Sequence, residues 1–445
     1  MRGGFFIFIF LFAINFSKAQ VVASTFITGL DIPVSMAIAP DGRFFITCKG
    51  YDTLFPAIVK VYDATGTLVN DLWDFSDSTE TLGEKGVLGI TLDPNFATNH
   101  FVYVLYNHKS PAKIRIIRFT EVGSVGTSPF TVLELPDTYV ANYHTGGNIH
   151  FRPSDTSNIY VSIGDKGVSA NGQDSSVWAA KILRVSKDGS IPVTNPFYDD
   201  GNVLTGNDDR IWALGLRNSF DFCFNGLNDS LYATEDGVST YDEVNLIKKG
   251  ANYGWPNCEG IAPYLGSCAG FEIPLETFGV VVPALTGICF YTSPVMPTLT
   301  NHLLVADYNV ANIYDLVLGN APFYDTLLSR TVLSNGDFTN ISDIEQGIDG
   351  CVYVCEINAG KISKFCSVVG IEEEVSSIGF RVFPNPVSDK ITVQGKNVKQ
   401  LMLFSEEGKI LLQVFGNQMS ISNFENGIYI LRVNESYYTK IIKQG

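Results

Sequence analysis

Pro40-Asp41-Gly42-Arg43-Phe44-Phe45-Ile46-Thr47 is a tight turn feeding a short aromatic and β-branched strand, and the chain repeats it. The counterparts are Phe101-Val102-Tyr103-Val104, Ile159-Tyr160-Val161-Ser162 and Leu231-Tyr232-Ala233-Thr234, then Leu303-Leu304-Val305-Ala306 and Gly350-Cys351-Val352-Tyr353-Val354. Six copies at a spacing of roughly 50 to 70 residues have the period of propeller blades rather than of solenoids. A four-stranded blade uses about 40–50 residues, and the surplus goes to loops, where sites form. Helical periodicity of any length is absent. The expected fold is therefore all-β, a six-bladed β-propeller over residues 20–366 followed by a small antiparallel β-sandwich. The Phe44 strand should lie beside the Tyr353 strand, because closing the ring removes exposed sheet edges. A pair of β-sandwiches is the alternative, but six repeats before residue 366 favour a ring.

Composition supports this reading. The 445 residues include 41 Gly, 31 Phe and 20 Tyr, which suits strands joined by tight turns. Lys+Arg number 30 against 46 Asp+Glu, a net charge of -16. That balance argues against nucleic acid or anionic lipid as a partner. Met1-Arg2, the apolar run Phe5 to Phe16 and Ser17-Lys18-Ala19 read as a signal peptide over residues 1–19, with the mature chain starting near Gln20. The run is shorter than the ~20 residues of a spanning helix, and no later stretch is long enough, so no transmembrane segment is expected after signal removal.

Eight cysteines suit an oxidising compartment. Cys258 and Cys268 flank one short loop and are expected to bridge. Cys351 and Cys355 stand on one strand, roughly 13 Å apart at ~3.3 Å per residue, too far for a disulfide. The other pairings stay open, and no Cys/His spacing suggests zinc.

After Cys366 the composition changes. Residues 367–377, with Glu372-Glu373-Glu374, read as a linker. Residues 378–445 then form a second β unit, with the Pro384-Asn385-Pro386 turn, the Asn426-Gly427-Ile428-Tyr429 strand and the Lys440-Ile441-Ile442-Lys443 ending. This unit resembles the C-terminal sorting domain of the type IX secretion system of Gram-negative bacteria. The resemblance implies export through the periplasm, a partner in the type IX machinery, and a secreted or cell-surface protein.

Four further segments carry a second resemblance. They are Gly83-Glu84-Lys85-Gly86-Val87-Leu88-Gly89 with Asp93-Pro94-Asn95-Phe96, and His144-Thr145-Gly146-Gly147-Asn148 leading to Ile163-Gly164-Asp165. Ile211-Trp212-Ala213-Leu214-Gly215-Leu216-Arg217-Asn218 comes third, and Asp242-Glu243-Val244-Asn245 with Gly250-Ala251-Asn252-Tyr253-Gly254-Trp255-Pro256 fourth. In this order residues 28 to 366 resemble the soluble, quinone-dependent aldose (glucose/sorbosone) dehydrogenases, whose cofactor is pyrroloquinoline quinone (PQQ).

His144 has a chemical reading of its own. Oxidising a sugar hydroxyl requires loss of the O–H proton, and a neutral imidazole accepts it near pH 7. Asp165 could take the other ring N–H and fix the tautomer. Gly146 and Gly147 would let a ligand approach the backbone. The resemblance implies the same catalytic roles for His144 and Asp165. It sets Arg217 and Asn218 on the quinone, and Glu84 among the cofactor-binding residues. It also implies Ca²⁺ held by the Gly237 and Val238 carbonyls with the Asp236 carboxylate, ligands that suit a hard cation. Where the family has a Lys and two Arg on the cofactor carboxylates, this chain has Asn309, Asn340 and Ser342. The pairs Asp199-Asp200 and Asp208-Asp209 read as a solvated acidic loop.

Two function classes follow. One is an exported PQQ-dependent dehydrogenase that oxidises aldoses by hydride transfer. The other is a catalytically impaired propeller serving as a surface carbohydrate- or protein-binding module.

Overall fold

The computed structural model describes residues 21–279, 283–334, 336–367, 380–395, 397–405, 409–434 and 437–444. The expected signal peptide, and the expected linker apart from Ser367, lie outside them. The chain divides into two compact units, one of them Val21–Ser367.

That unit holds six four-stranded antiparallel sheets. The first is built from Pro33–Ile38, Phe44–Cys48, Ile58–Tyr62 and Leu68–Asp74. The second runs from Val87–Leu92 to Val125–Pro136, and the third contains Ile149–Arg152, Asp155–Ile163, Lys181–Ser186 and Ile211–Leu214. The fourth contains Phe222–Phe224, Leu231–Glu235, Tyr241–Ile247 and Glu276–Gly279. The fifth runs from Leu285–Tyr291 to Thr326–Ser334. The sixth joins Ile341–Gln346, Val352–Glu356 and Lys361–Ser367 to the N-terminal strand Val21–Thr28. The six repeated stretches of the sequence all fall on the second strand of a sheet. Each sheet's first strand touches the first strand of the next, and Ile341–Gln346 touches Pro33–Ile38.

Strand alternation explains how the sheets pack. Successive side chains point to opposite faces, so a strand with a neighbour on each side is apolar throughout. Phe44–Cys48 is buried at every position. Phe45 packs edge-on at 5.6 Å to Phe96, in the connection between the first two strands of the second sheet, while Phe44 meets Tyr353 of the sixth at 4.6 Å. Apolar cores of this kind lie between every two successive sheets, including the sixth and first. Among the described residues, helix is confined to a single turn, Phe96–Asn99, and a 3-10 turn, Ser169–Gly172.

Cys258 and Cys268 are bridged, as are Cys351 and Cys366. The second bridge follows from register: Val352 pairs with Phe365 across antiparallel strands, which sets the preceding and following cysteines opposite each other. The expected solvated acidic loop holds for Asp199 and Asp200, which are exposed, and needs correcting for Asp208 and Asp209. Asp208 is buried against Arg210 at 2.6 Å, and buried Asp209 accepts the Asp199 N–H at 2.6 Å.

The other unit has two antiparallel sheets. Arg381–Phe383, Lys390–Gln394 and Gln418–Ser420 form one; Gln400–Phe404, Ile410–Phe415, Gly427–Val433 and Tyr437–Lys443 form the other. Their shared core includes Ile391, Val393, Leu401, Leu403, Leu431 and Ile441. Among the described residues no helix is long and apolar enough to cross a membrane.

Candidate active site

The sheets' first strands and the loops beside them enclose a cavity of about 320 Å³. Thr145, Gly146, Gly147 and Asn148 form one wall and Asn218, Phe220 and Asp236 another. Glu84, Lys49, Tyr308, Ser342, Ser35 and Thr286 complete the polar lining.

His144 directly precedes this wall in the chain but is not among the residues lining the cavity; its backbone is in the left-handed region at φ 51. Asp165 ends the hairpin arm that runs back alongside, so the two side chains meet. The imidazole Nδ1 lies 2.7 Å from Asp165 Oδ1. A carboxylate only accepts, so in the neutral imidazole this contact assigns the hydrogen to Nδ1 and the lone pair to Nε2. No hydrogen bond occupies Nε2 among the described residues. Asp165 is buried and fixed from several sides. The Gly167 N–H donates to Oδ1 at 2.8 Å, the Trp255 indole N–H donates to Oδ2 at 3.0 Å, and its own N–H donates to the Arg217 carbonyl at 2.7 Å. Trp255 thus holds the carboxylate that holds the histidine. The sequence offered it only as part of a motif, with no hint of its partner.

The glycines after His144 divide their tasks. A Cβ on Gly146 would sit 2.5 Å from the Ile163 backbone, so this residue packs the two arms together rather than admitting a ligand. At Gly147 a Cβ would meet only the Phe220 carbonyl, at 3.3 Å, which leaves the cavity side open.

Arg217 departs from expectation. Instead of facing the cavity, its Nη1 donates to the carbonyls of Asp236 and Gly237 at 2.8 and 2.7 Å, with the guanidinium 5.6 Å from the Trp255 ring. The Gly237 carbonyl expected for calcium therefore carries a guanidinium. The Val238 N–H donates to Glu259 Oε1 at 2.8 Å, and its side chain is exposed. Asn218 does face the cavity, with Nδ2 donating to Asp236 Oδ2 at 3.1 Å. Asn218 Oδ1 and Asp236 Oδ1 are both buried acceptors without a partner.

Ser342 lines the cavity, its hydroxyl donating to the Pro33 carbonyl at 3.3 Å. Asn340 donates to the Tyr308 carbonyl at 3.0 Å, and exposed Asn309 follows Tyr308 on the rim. Glu84 Oε2 accepts the Thr145 N–H at 3.4 Å. Lys49 is a cavity residue the sequence reading missed. Its ammonium donates to the Thr81 and Gly50 carbonyls at 3.0 and 3.3 Å, and burial holds its pKa below the usual lysine value. The available signal was a charged residue closing an otherwise apolar repeat strand.

An acidic group lies behind the Asn218–Asp236 wall. Burial, then the neighbouring Glu243, raises Glu235 to about 8; burial raises Glu243 to about 7 and Asp242 to about 6. Glu235 Oε1 nonetheless accepts the N–H groups of Arg217 and Asn218, and Oε2 accepts the Ser219 hydroxyl at 2.7 Å.

The cavity is of ordinary size for a small-molecule site. A planar, carboxylate-bearing quinone fits it: Gly147 leaves one face open, Lys49 supplies a cation, and Ser342 and Thr145 supply hydroxyls. The two partnerless oxygens of Asn218 and Asp236 fit a hard cation.

Comparison with known proteins agrees with this arrangement. The Glucose / Sorbosone dehydrogenase family profile matches residues 30–364. The Secretion system C-terminal sorting domain profile matches residues 381–444, which marks the chain as exported, secreted or at the cell surface. An aldose sugar dehydrogenase of Escherichia coli is 26% identical over 345 residues, covering 73% of this chain and 87% of the relative. The solved structure of the soluble E. coli aldose sugar dehydrogenase in its apo form aligns with a TM-score of 0.68 at 24% identity, covering 78% of this chain and 100% of that one. The PQQ-bound aldose sugar dehydrogenase of Streptomyces coelicolor aligns with a TM-score of 0.64 at 25% identity, covering 78% and 98%. These likenesses place the larger unit among propeller-type dehydrogenase folds.

Proposed function

Because this chain belongs to the glucose/sorbosone dehydrogenase family, we propose that it is an exported dehydrogenase that oxidises an aldose by hydride transfer to bound PQQ. The six sheets are read as the blades of one propeller, and the smaller unit as a sandwich that directs export. A signal peptide over residues 1–19 would take the chain to the periplasm of a Gram-negative cell, and the type IX machinery would carry it onward.

His144 Nε2 receives the proton of the sugar hydroxyl. As the imidazole becomes positive, Asp165 stabilises it through the Nδ1–H bond, and the Trp255 N–H keeps that carboxylate aimed. Glu84, Asn218 and Ser342 would hold the cofactor from the walls, Lys49 would supply a cation for a carboxylate, and Asn309 and Asn340 would shape the rim beside Tyr308. Arg217 stands one layer behind, ready to meet the quinone if it leaves the Gly237 carbonyl. Asp236 and Asn218, through their partnerless side-chain oxygens, with the Val238 carbonyl, would form the proposed Ca²⁺ site, and the Gly237 carbonyl would join it only if Arg217 left. When bound, PQQ supplies the two-electron acceptor.

The single observation that carries this reading is the His144–Asp165 pair, next in the chain to the cavity wall Thr145–Asn148, with no hydrogen bond on Nε2 among the described residues. No observation of comparable weight supports a binding module. The test is a titration of purified protein with PQQ and Ca²⁺, following cofactor absorbance and aldose-dependent dye reduction. Stoichiometric binding with dye reduction supports the enzyme; absence of binding at micromolar cofactor removes it.

A further inference from the structure

A second cavity, of about 390 Å³, lies between the third and fourth sheets. It shares no lining residue with the first. Tyr160, Trp212 and Leu231 line it, and the same strands lead on to Asp165, Arg217 and Glu235. Four or five residues at ~3.3 Å each put it roughly 15 Å from the active site.

The chemistry of this cavity is unusual for a chain of net charge -16. Arg152, Lys248 and Lys249 line it, with Asp229 the carboxylate among the lining residues. Asp229 is engaged: Oδ1 accepts the Ser154 N–H at 3.1 Å, and its carbonyl accepts Arg152 Nη2 at 3.1 Å. Lys248 is paired with Glu272 at 2.6 Å. Arg152 and Lys249 have no carboxylate within ion-pair distance among the described residues, and both gather over the Trp212 ring, 5.9 and 5.8 Å from its centroid.

Two donors here lack a well-formed acceptor. The Arg152 guanidinium lies against the Tyr160 hydroxyl, yet buried Arg152 Nε makes no hydrogen bond of good geometry and the Tyr160 O–H has no acceptor. Tyr160 is 0% exposed, and burial raises its pKa, so the phenol stays protonated and can only gain by donating. Buried donors without acceptors are costly. A water could accept from both, yet it would leave the half-buried Arg152 guanidinium without counter-charge, while the exposed Lys249 ammonium stands at the mouth of the cleft. An acceptor that is also an anion answers both needs.

We propose that this cleft binds a small oxyanion, a carboxylate or phosphate group seated between Tyr160 Oη, Arg152 Nε and the Lys249 ammonium. The site stands whether or not the larger cavity oxidises sugars. Calorimetric titration of the full chain at low salt tests it, with D-gluconate in one arm and inorganic phosphate in the other. At least one should bind one-to-one and weaken on adding salt. Tyr160→Phe, which removes a single hydroxyl, should weaken it about tenfold, since a bond to a charged partner is lost. Lys249→Glu should abolish it, and melting curves confirm that both variants fold. Tighter gluconate identifies a carboxylate ligand, and tighter phosphate a phosphate. If neither anion binds wild type at about 10 mM, a concentration that detects even very weak sites, the proposal fails. It fails equally if both variants bind as wild type does.

Discussion

His144 Nδ1 and Asp165 Oδ1 lie 2.7 Å apart although 21 residues separate them in the chain. The third sheet makes the meeting inevitable: Ile149–Arg152 leaves the site, and Asp155–Ile163 returns to it in antiparallel register, with Ile149 opposite Val161. The carboxylate is held in turn by Trp255, 90 residues further on.

That chain of contacts predicts graded losses. Asp165→Asn places an amide between the Trp255 donor and His144, so one of the two bonds must be lost or the imidazole tautomer reversed. Turnover should fall about 10²-fold or more, as with other orienting carboxylates. Trp255→Phe removes one donor to Asp165 and should lower turnover about tenfold. In both variants KM and melting temperature should stay near wild type, which separates positioning from a general loss of structure.

The buried acids predict how stability depends on pH. Folded Glu235 and Glu243 are raised from 4.5 to about 8 and about 7. A raised folded value favours the protonated, folded form. Their contribution is therefore complete below about pH 4.5 and is lost as pH rises through about 7 to 8. The metal-free protein should melt highest near pH 5 and lose roughly 5 °C by pH 9. Glu235→Gln keeps an oxygen for the Arg217 and Asn218 N–H groups, so it should fold and should flatten that decline.

Much of the framework was legible because strands packed between two neighbouring sheets are apolar on both faces, and that property needs no long-range knowledge. Phe44 and Phe45 serve different sheets, so the strand shows as a continuous apolar run. The pairing of Val21–Thr28 with Lys361–Ser367 was not legible, since partners some 340 residues apart leave no local pattern. The site divides the same way. His144 and Asp165 declared themselves by residue type and flanking glycines. The turning of Arg217 onto the Gly237 carbonyl, and the entry of Lys49 into the cavity, depend on packing between sheets.

The two disulfides make a chemical prediction. Under denaturing, non-reducing conditions thiol labelling should modify Cys48, Cys223, Cys289 and Cys355 and spare the other four. Replacing Cys351 and Cys366 by serine opens a loop of 15 residues in the closing sheet and should cost about 3 kcal/mol in the chain-entropy model. Denaturant midpoints of the double variant check the figure.

The division at Ser367 predicts independence of the larger unit. Protein ending at Ser367 should melt as the full chain does and oxidise aldose at the same rate. Recovered from the native host's surface or medium, the mature protein should lack the C-terminal unit by intact mass. Full-length chain ending at Gly445 there would count against a sorting segment that is removed.

The central claim is that His144 accepts the hydroxyl proton. Its most direct test is the turnover of His144→Ala, reconstituted with PQQ and Ca²⁺, beside its cofactor affinity measured by absorbance titration. The account predicts that turnover falls about 10²- to 10⁴-fold, the usual worth of a general base, while cofactor affinity changes little. Turnover within a few-fold of wild type at the same cofactor occupancy would contradict it.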